Sequence, residues 1–469
     1  MENKEMIQLT DKKRTFIFIN LIISGIATSI LATAMTTALP SLAEYFEVST
    51  SIGQWVTSGY SLAMGMVVPL TAFLITRFPT KKLYMTGIGS FIVGLLLSIF
   101  SGSFGFMMVG RVLQACGNGI LISAAQVIIL SVYPAEKKGT MMGTYGLATT
   151  AAPIIAPTVA GLMIDAFGWK SIFYLVLAIM LVSFVISGIV FEDVLEIEDK
   201  KFDVLSFVES IFAFGGITLG IGNISSFGMV SMQAGVPLLI GVVACVFFVI
   251  RQCGLEKPFL DVKILCNWNY AVSVISSMVL YLVMMGSSVI MPLYVQSVMG
   301  YSAVVSGLVT LPGSLATAVV SPLAGSMYDK IGIKHIFVAG SVALMASNIG
   351  MFFLTMNMPL IVAAGLNVLR NISIGGLMMP LLTWGTSNVD FKKMADATSL
   401  LTSFRTIAGS IGSAVFVGIM TVVSAKSAAS YGDNALMHGM NMSFLWMFFG
   451  SLVLLLISLF GCREKGSEF

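Results

Sequence analysis

The chain has 469 residues, 57% of them hydrophobic and 10% charged, against about 45–50% and about 25% in soluble domains. A chain this apolar cannot clothe a water-facing surface, which excludes a soluble fold and calls for lipid around most of its length. A formal charge of +3 gives no basis for a nucleic-acid partner, and five scattered cysteines without a CxxC pair imply neither disulfides nor a metal site.

In chain order, fourteen stretches are long enough to cross ~30 Å of hydrocarbon, which takes about 20 helical residues. The first six are Phe16–Leu39, Ile52–Ile75, Leu83–Phe100, Phe106–Leu130, Thr140–Ile164 and Ser171–Val190. Val204–Ile224 and Ala234–Ile250 follow, and then Tyr270–Met291, Ala303–Met327, Ile336–Leu354, Leu360–Thr383, Thr398–Val423 and Met442–Phe460. Lys12, Lys13 and Arg14 before the first run are reminiscent of a signal peptide. The run is too long for an h-region and a second span follows at once, so it is expected to be retained.

Lysine and arginine fall in the N-terminus, in alternate connections and in the C-terminus, while the opposite connections carry only Lys170 and Lys426. The positive-inside rule then puts both termini in the cytoplasm, which needs an even number of spans. The longest connection, Phe191–Asp203, is acidic and reads as a solvated linker. It divides the chain into 1–190, a six-helix bundle; 191–265, linker and two inserted helices; and 266–469, a second six-helix bundle. There is no GxxxxGK[ST] loop, no HExxH and no Ser/His/Asp set, so neither ATP coupling nor enzyme chemistry is expected, and no cofactor is implied.

Three features recur at nearly one offset. The segment from Ala72 to Lys81 corresponds to Gly325–Lys334, Arg111 in the fourth span to Arg370 in the twelfth, and Leu39-Pro40 to Met291-Pro292. Two parallel six-helix repeats with an inserted pair describe a transporter that binds its substrate between halves. The reading is an all-α membrane protein.

Gly325, Asp329, Lys330, Gly332 and Lys334 resemble the GxxxDRxGRK loop of the major facilitator superfamily, and Arg111–Gly119 resembles its RxxQGxG motif. Ala156-Pro157 through Ala160-Gly161 resembles the antiporter signature GPxxGG, with alanine for two glycines. With Pro292–Gln296, Gly300–Ser302 and Leu311-Pro312, the chain is similar to the fourteen-helix drug:proton antiporters. Its Leu74–Thr80 loop resembles that of lincomycin-resistance-type exporters. The resemblance implies the major facilitator fold, efflux by alternating access, and protons as coupling ion.

An arginine deep in a span costs roughly 2.5–3.5 kcal/mol on insertion scales, so it is kept only where water or a partner awaits it. Arg111 forms a polar stripe with Gln114 and Asn118, and Arg370 lies beside Asn367. Both are candidate binding residues, with a helix-tying role as the alternative; Arg405 reads as structural. Thr33, Thr36, Gln54, Trp55, Tyr145, Tyr281 and Met284 are further candidates for the cavity wall. Arg77, Gly325, Asp329, Lys330 and Gly332 read as a conformational latch. Pro157, Ala160 and Gly161 mark the antiporter-type helix, and Ala156, Ala160 and Gly161, with Gly143 and Gly146, form a small-residue face for close helix approach.

The chain departs from the resemblance where coupling is concerned. Ala32 stands where the family carries a first-helix carboxylate, and Thr76 and Pro79 replace Asp and Gly of the first loop. Glu209, in the inserted pair, is the one carboxylate clearly inside a span and hence the remaining proton-coupling candidate, with snorkelling toward the interface as its alternative role. Buried arginines without buried acids favour neutral, zwitterionic or anionic amphiphiles over cations. The expectation is a monomeric exporter of small amphipathic compounds in the cell membrane. A lipid or metabolite carrier without proton coupling is the second reading, and a membrane ligand sensor, disfavoured by short tails, the third.

Overall fold

The structure, a computed structural model, describes residues 10–462 except 49, 54, 196, 198–201, 228–230, 257 and 302. Within helices, the side chains at 40, 50, 51, 150, 151, 154, 155, 157, 158, 225–227, 303, 304 and 433 are also outside the description. The described residues are helical with no strand, as a bilayer requires of a non-barrel.

Fourteen long helices run through the chain. The first six are α1 (Asp11–Tyr45), α2 (Trp55–Arg77), α3 (Thr80–Ile99), α4 (Phe104–Val132), α5 (Ala135–Phe167) and α6 (Lys170–Val190). The inserted pair is α7, built from Val204–Ser210, a π-helical turn Ile211–Gly215 and Gly216–Phe227, and α8 (Met232–Gly254). The last six are α9 (Trp268–Leu293), α10 (Ala303–Ile331), α11 (Ile333–Phe352), α12 (Leu360–Ser387), α13 (Met394–Tyr431) and α14 (Ala435–Phe460). Thirteen are long and apolar enough to cross a membrane among the described residues, and α5, at 33 residues, is the fourteenth.

Many helices outrun the expected spans. α1 begins five residues before Phe16 and α13 reaches 38 residues, because hydrocarbon thickness bounds only the apolar part of a helix. Caps set several starts: Ser103, Ser231 and Asn267 accept from Phe106 N, Ala234 N and Tyr270 N. Gly332, at φ 73°, makes the left-handed turn between α10 and α11 that other residues adopt only under strain.

The surface is apolar and the interior carries the polar glue. Ile189 and Leu239 are largely exposed, whereas Asn20 is fully buried and pairs α1 to α6 through Ser187 (2.6 Å) and Ser183 (2.9 Å). Asn348 does the same for α11 and α14 through Ser451 (2.7 Å). In lipid such bonds, not hydrophobic burial, distinguish one helix contact from another.

In the first group α1 packs on α5 and α6, α2 on α4, and α3 on α4 and α6. In the last group α9 packs on α13, α12 and α14, α10 on α12, and α11 on α12 and α14. The groups meet where α5 lies along α10 and α2 along α13. The inserted pair docks on this second seam: α7 packs on α2 and α13, with Met66 filling the space beside Gly215.

The start of the acidic connection is not a free solvated linker as expected. Phe191 is buried and stacked on Tyr84 at 4.5 Å, Glu192 pairs with Lys13, and Asp193 accepts from Lys81 N at 3.0 Å. An aromatic ring at the end of α6 has a ready site between α3 and α6, and the chain behind it follows.

Candidate functional site: a closed seam beneath buried arginines

With fourteen alternating helices the start of α1 and the end of α14 lie on one face, the terminal face. The hydrogen bonds that join the first and last groups gather toward it. Asp329, at the end of α10, accepts from Gly139 N, Thr140 N and Thr140 Oγ1, each at 2.7 Å. Gly139 and Thr140 are the fifth and sixth residues of α5, so the carboxylate lies beside the N-terminal part of that helix, where the dipole favours an anion. Gly325 rests on Gly139 so closely that an added Cβ would stand 2.1 Å from the Gly139 carbonyl oxygen. One turn deeper Ser321 donates to Gly143 O (3.0 Å), and Gly146 packs on Met379. On the other seam Thr71 pairs with Ser399 (3.2 Å) and Thr402 donates to Gln126 (3.5 Å).

All of these residues lie within about 15 Å of their helix ends at the terminal face, at 1.5 Å per residue. Farther along, Gly161 has nothing within 4 Å of an added Cβ. The small-residue face is therefore in close contact at Gly143 and Gly146 but not at Gly161. Ala160 is buried, and the side chain of Pro157 is outside the described residues.

The first loop is not a copy of the second. Thr76, where the repeat has Asp329, spends its hydroxyl on Ala72 O and Phe73 O of its own helix. Arg77 and Lys330 are exposed at the ends of α2 and α10. Asp396, in the first turn of α13, is 2% exposed.

Arg111 has no exposed surface and ties α4 to α2. Its Nε donates to Val56 O (2.9 Å), its Nη1 to Gln114 Oε1 (2.6 Å), and its guanidinium lies 4.2 Å from the Tyr60 ring centroid. Gln114 passes the chain to Ser98 (2.9 Å), and Asn118 donates to the Tyr60 hydroxyl (2.7 Å). Nη2 of Arg111 has no partner among the described residues. Arg370 repeats the motif on α12: it donates to Asn367 Oδ1 and to Met351 Sδ (3.5 Å), and its Nε has no partner among the described residues. Asn371 links the cluster to Thr317 of α10.

The remaining predicted residues do not converge on one pocket. Thr36 and Trp55 are exposed and Thr33 half-buried; Tyr145 is buried, its hydroxyl against Gly25 of α1. Tyr281 and Met284 are half-buried on α9. Gln54 lies outside the described residues. Glu209 is half-buried in a lipid-facing groove with Val208, Phe212, Leu239 and Val243, one residue before Ser210 and the π-helical turn. Its Oε2 has no partner among the described residues.

The loop motif did not reveal Gly139 and Thr140 as the partners of Asp329, although a helix N-terminus 190 positions upstream was visible. Nor did Arg405 stand out as functional. That side chain is 5% exposed and stacks on Tyr281, 4.5 Å from the ring centroid.

A family model described as Major Facilitator Superfamily matches residues 17–413. The chain is 30% identical over 430 residues to YcnB, an uncharacterized MFS-type transporter of Bacillus subtilis (strain 168), covering 92% of this chain and 91% of that one. It is also 30% identical over 409 residues to the lincomycin resistance protein LmrB of the same organism, covering 86% and 85%. Among solved structures, the proton:xylose symporter XylE superposes with a TM-score of 0.66 at 14% identity, over 98% of each chain.

Proposed function

The chain belongs to the major facilitator superfamily, and on that premise we propose that this secondary transporter exports small amphipathic compounds from the cell by alternating access. Residues 1–190 and 266–469 act as the two moving halves, with 191–265 riding on the seam between α2 and α13. The lysine- and arginine-rich connections on the terminal face support a cytoplasmic position for it. The contacts described between the halves would then seal the cytoplasmic side.

One observation carries the reading. A carboxylate of one half accepts three 2.7 Å bonds from Gly139 and Thr140 of the other, beside a glycine-to-glycine backbone contact. Such a contact is worth having only if it must also break, since a permanent interface in lipid is better served by ordinary packing. The similarity to LmrB supports efflux of drug-like compounds.

The test is a susceptibility and accumulation screen comparing a deletion strain, a strain expressing the protein, and one expressing Gly325→Val. The introduced valine side chain would meet the Gly139 carbonyl and hold the seam apart. The protein is expected to lower accumulation of a subset of amphipathic compounds, and the variant to lose this at equal expression. Equal accumulation in all three strains across a broad panel would refute export.

A further inference from the structure

We propose that Arg405 is an anion-binding residue at the floor of the transport cavity, so that the compounds carried bear a carboxylate, sulfonate or phosphate beside their apolar body. This rests on the transport reading above and names its substrate class.

Arg405 sits about 16 Å along α13 from its start at Met394, at 1.5 Å per residue, well inside the apolar span that begins near Thr398. α13 is held between α9 and α14 on one side and α2, α4 and α7 on the other, so it belongs to the surface where the halves face each other. One turn toward the terminal face, Thr402 donates to Gln126, and beyond it Ser399 meets Thr71. These contacts form the seal, and Arg405 lies on its cavity side.

The three buried arginines differ in how they are satisfied. Arg111 makes two hydrogen bonds and Arg370 two. Arg405 makes no hydrogen bond and no ion pair among the described residues, and its Nη1 is buried without a partner. A guanidinium has five N–H donors in its plane and cannot discharge itself by losing a proton. The Tyr281 ring covers a face of the group, 4.5 Å away, and leaves the in-plane donors unused. A purely structural staple would account for the stacking but not for a buried cation with no acceptor among the described residues.

The surroundings suit an amphiphile. Tyr281, Met284 and Met285 are half-buried on α9. Gly409, one turn from Arg405, keeps that wall close, an added Cβ standing 3.0 Å from Met285 Cγ. Two methionines and an aromatic ring adapt to varied apolar shapes, while a planar fork beside them pairs with a carboxylate, sulfonate or phosphate in two parallel bonds.

The test is equilibrium binding of two fluorescent probes, a naphthalenesulfonate and a naphthyl-trimethylammonium, to the purified full-length protein in nanodiscs, with empty nanodiscs subtracted. The unmodified protein is expected to bind the sulfonate about tenfold more tightly than the ammonium, as a charge-assisted pair allows. Arg405→Gln should erase the preference and Arg405→Lys keep part of it, with melting temperatures matched to the parent. Equal or tighter ammonium binding by the unmodified protein overturns the proposal without any variant. So does sulfonate affinity within twofold of the parent in a folded Arg405→Gln. Retained charge preference with no sulfonate flux in proteoliposomes would support the anion site and count against transport instead.

Discussion

Replacing Asp329 by alanine removes three acceptor contacts to Gly139 and Thr140 of α5 at once. Hydrogen bonds to a charged group are worth about 1.5–3 kcal/mol each when buried. The three here share one half-exposed carboxylate, so they do not add, and about 3 kcal/mol is the working figure for the set. At 1.4 kcal/mol per decade, that is ~100-fold in the ratio of sealed to unsealed terminal face. Asp329→Asn keeps an acceptor oxygen but loses the charge, and should move the ratio about tenfold. Spin labels at Lys137 and Lys334, exposed beside the latch on α5 and α11, report the separation by pulsed electron paramagnetic resonance. The parent should show mainly the short distance, and the alanine variant should transfer most of the population to a longer one. Identical distance distributions in the two would refute the reasoning, leaving Asp329 as a helix cap that holds nothing closed.

Arg111→Ala should abolish substrate counterflow in proteoliposomes and lower stability by about 1–3 kcal/mol, because Val56 O and Gln114 are left without their buried donor. Arg111→Lys should recover little, having no planar fork; normal flux in the alanine variant would make the residue dispensable. Imposing a pH gradient should change flux by less than about threefold, since no titrating group stands in for the absent first-helix carboxylate at Ala32, and Glu209→Gln should leave it nearly unchanged. Ala32→Asp on half-buried α1 should add pH dependence; uphill, proton-driven transport lost on Glu209→Gln would defeat both expectations. Asp203 is raised by partial burial, but bonds from Ser206 and Arg251 outweigh this and hold it below its ordinary range. A depressed carboxylate adds stability at neutral pH and loses it only as pH falls through the lowered value. Asp203→Asn should therefore melt earlier than the parent at pH 7, and the gap should close below about pH 4; equal melting at pH 7 would show that the pair does not hold the inserted helices.

Much of the architecture was legible because a bilayer leaves few choices. Apolar runs of about 20 residues can only be spanning helices, and each of the fourteen expected runs falls on one. The repeat offset pairing Arg111 with Arg370 likewise meets two alike clusters on α4 and α12. The π-helical turns at Ile211–Gly215 and Tyr294–Val298 had no such signature. Their extra residue changes the register of packing without changing composition.

The sequence alone determined that this is a polytopic helical membrane protein with an internal repeat, since hydropathy and charge act locally, helix by helix. Only the tertiary structure decided which buried groups find partners. Gly139 and Gly325 are 186 positions apart and become a backbone contact only because α5 and α10 lie side by side. The same reason separates the three arginines, which look equivalent as lone cations in apolar runs. Arg111 and Arg370 meet a carbonyl, an amide or a sulfur, whereas Arg405 meets a ring and no acceptor, because hydrogen-bond satisfaction depends on the neighbouring helices and not on the run that carries the charge.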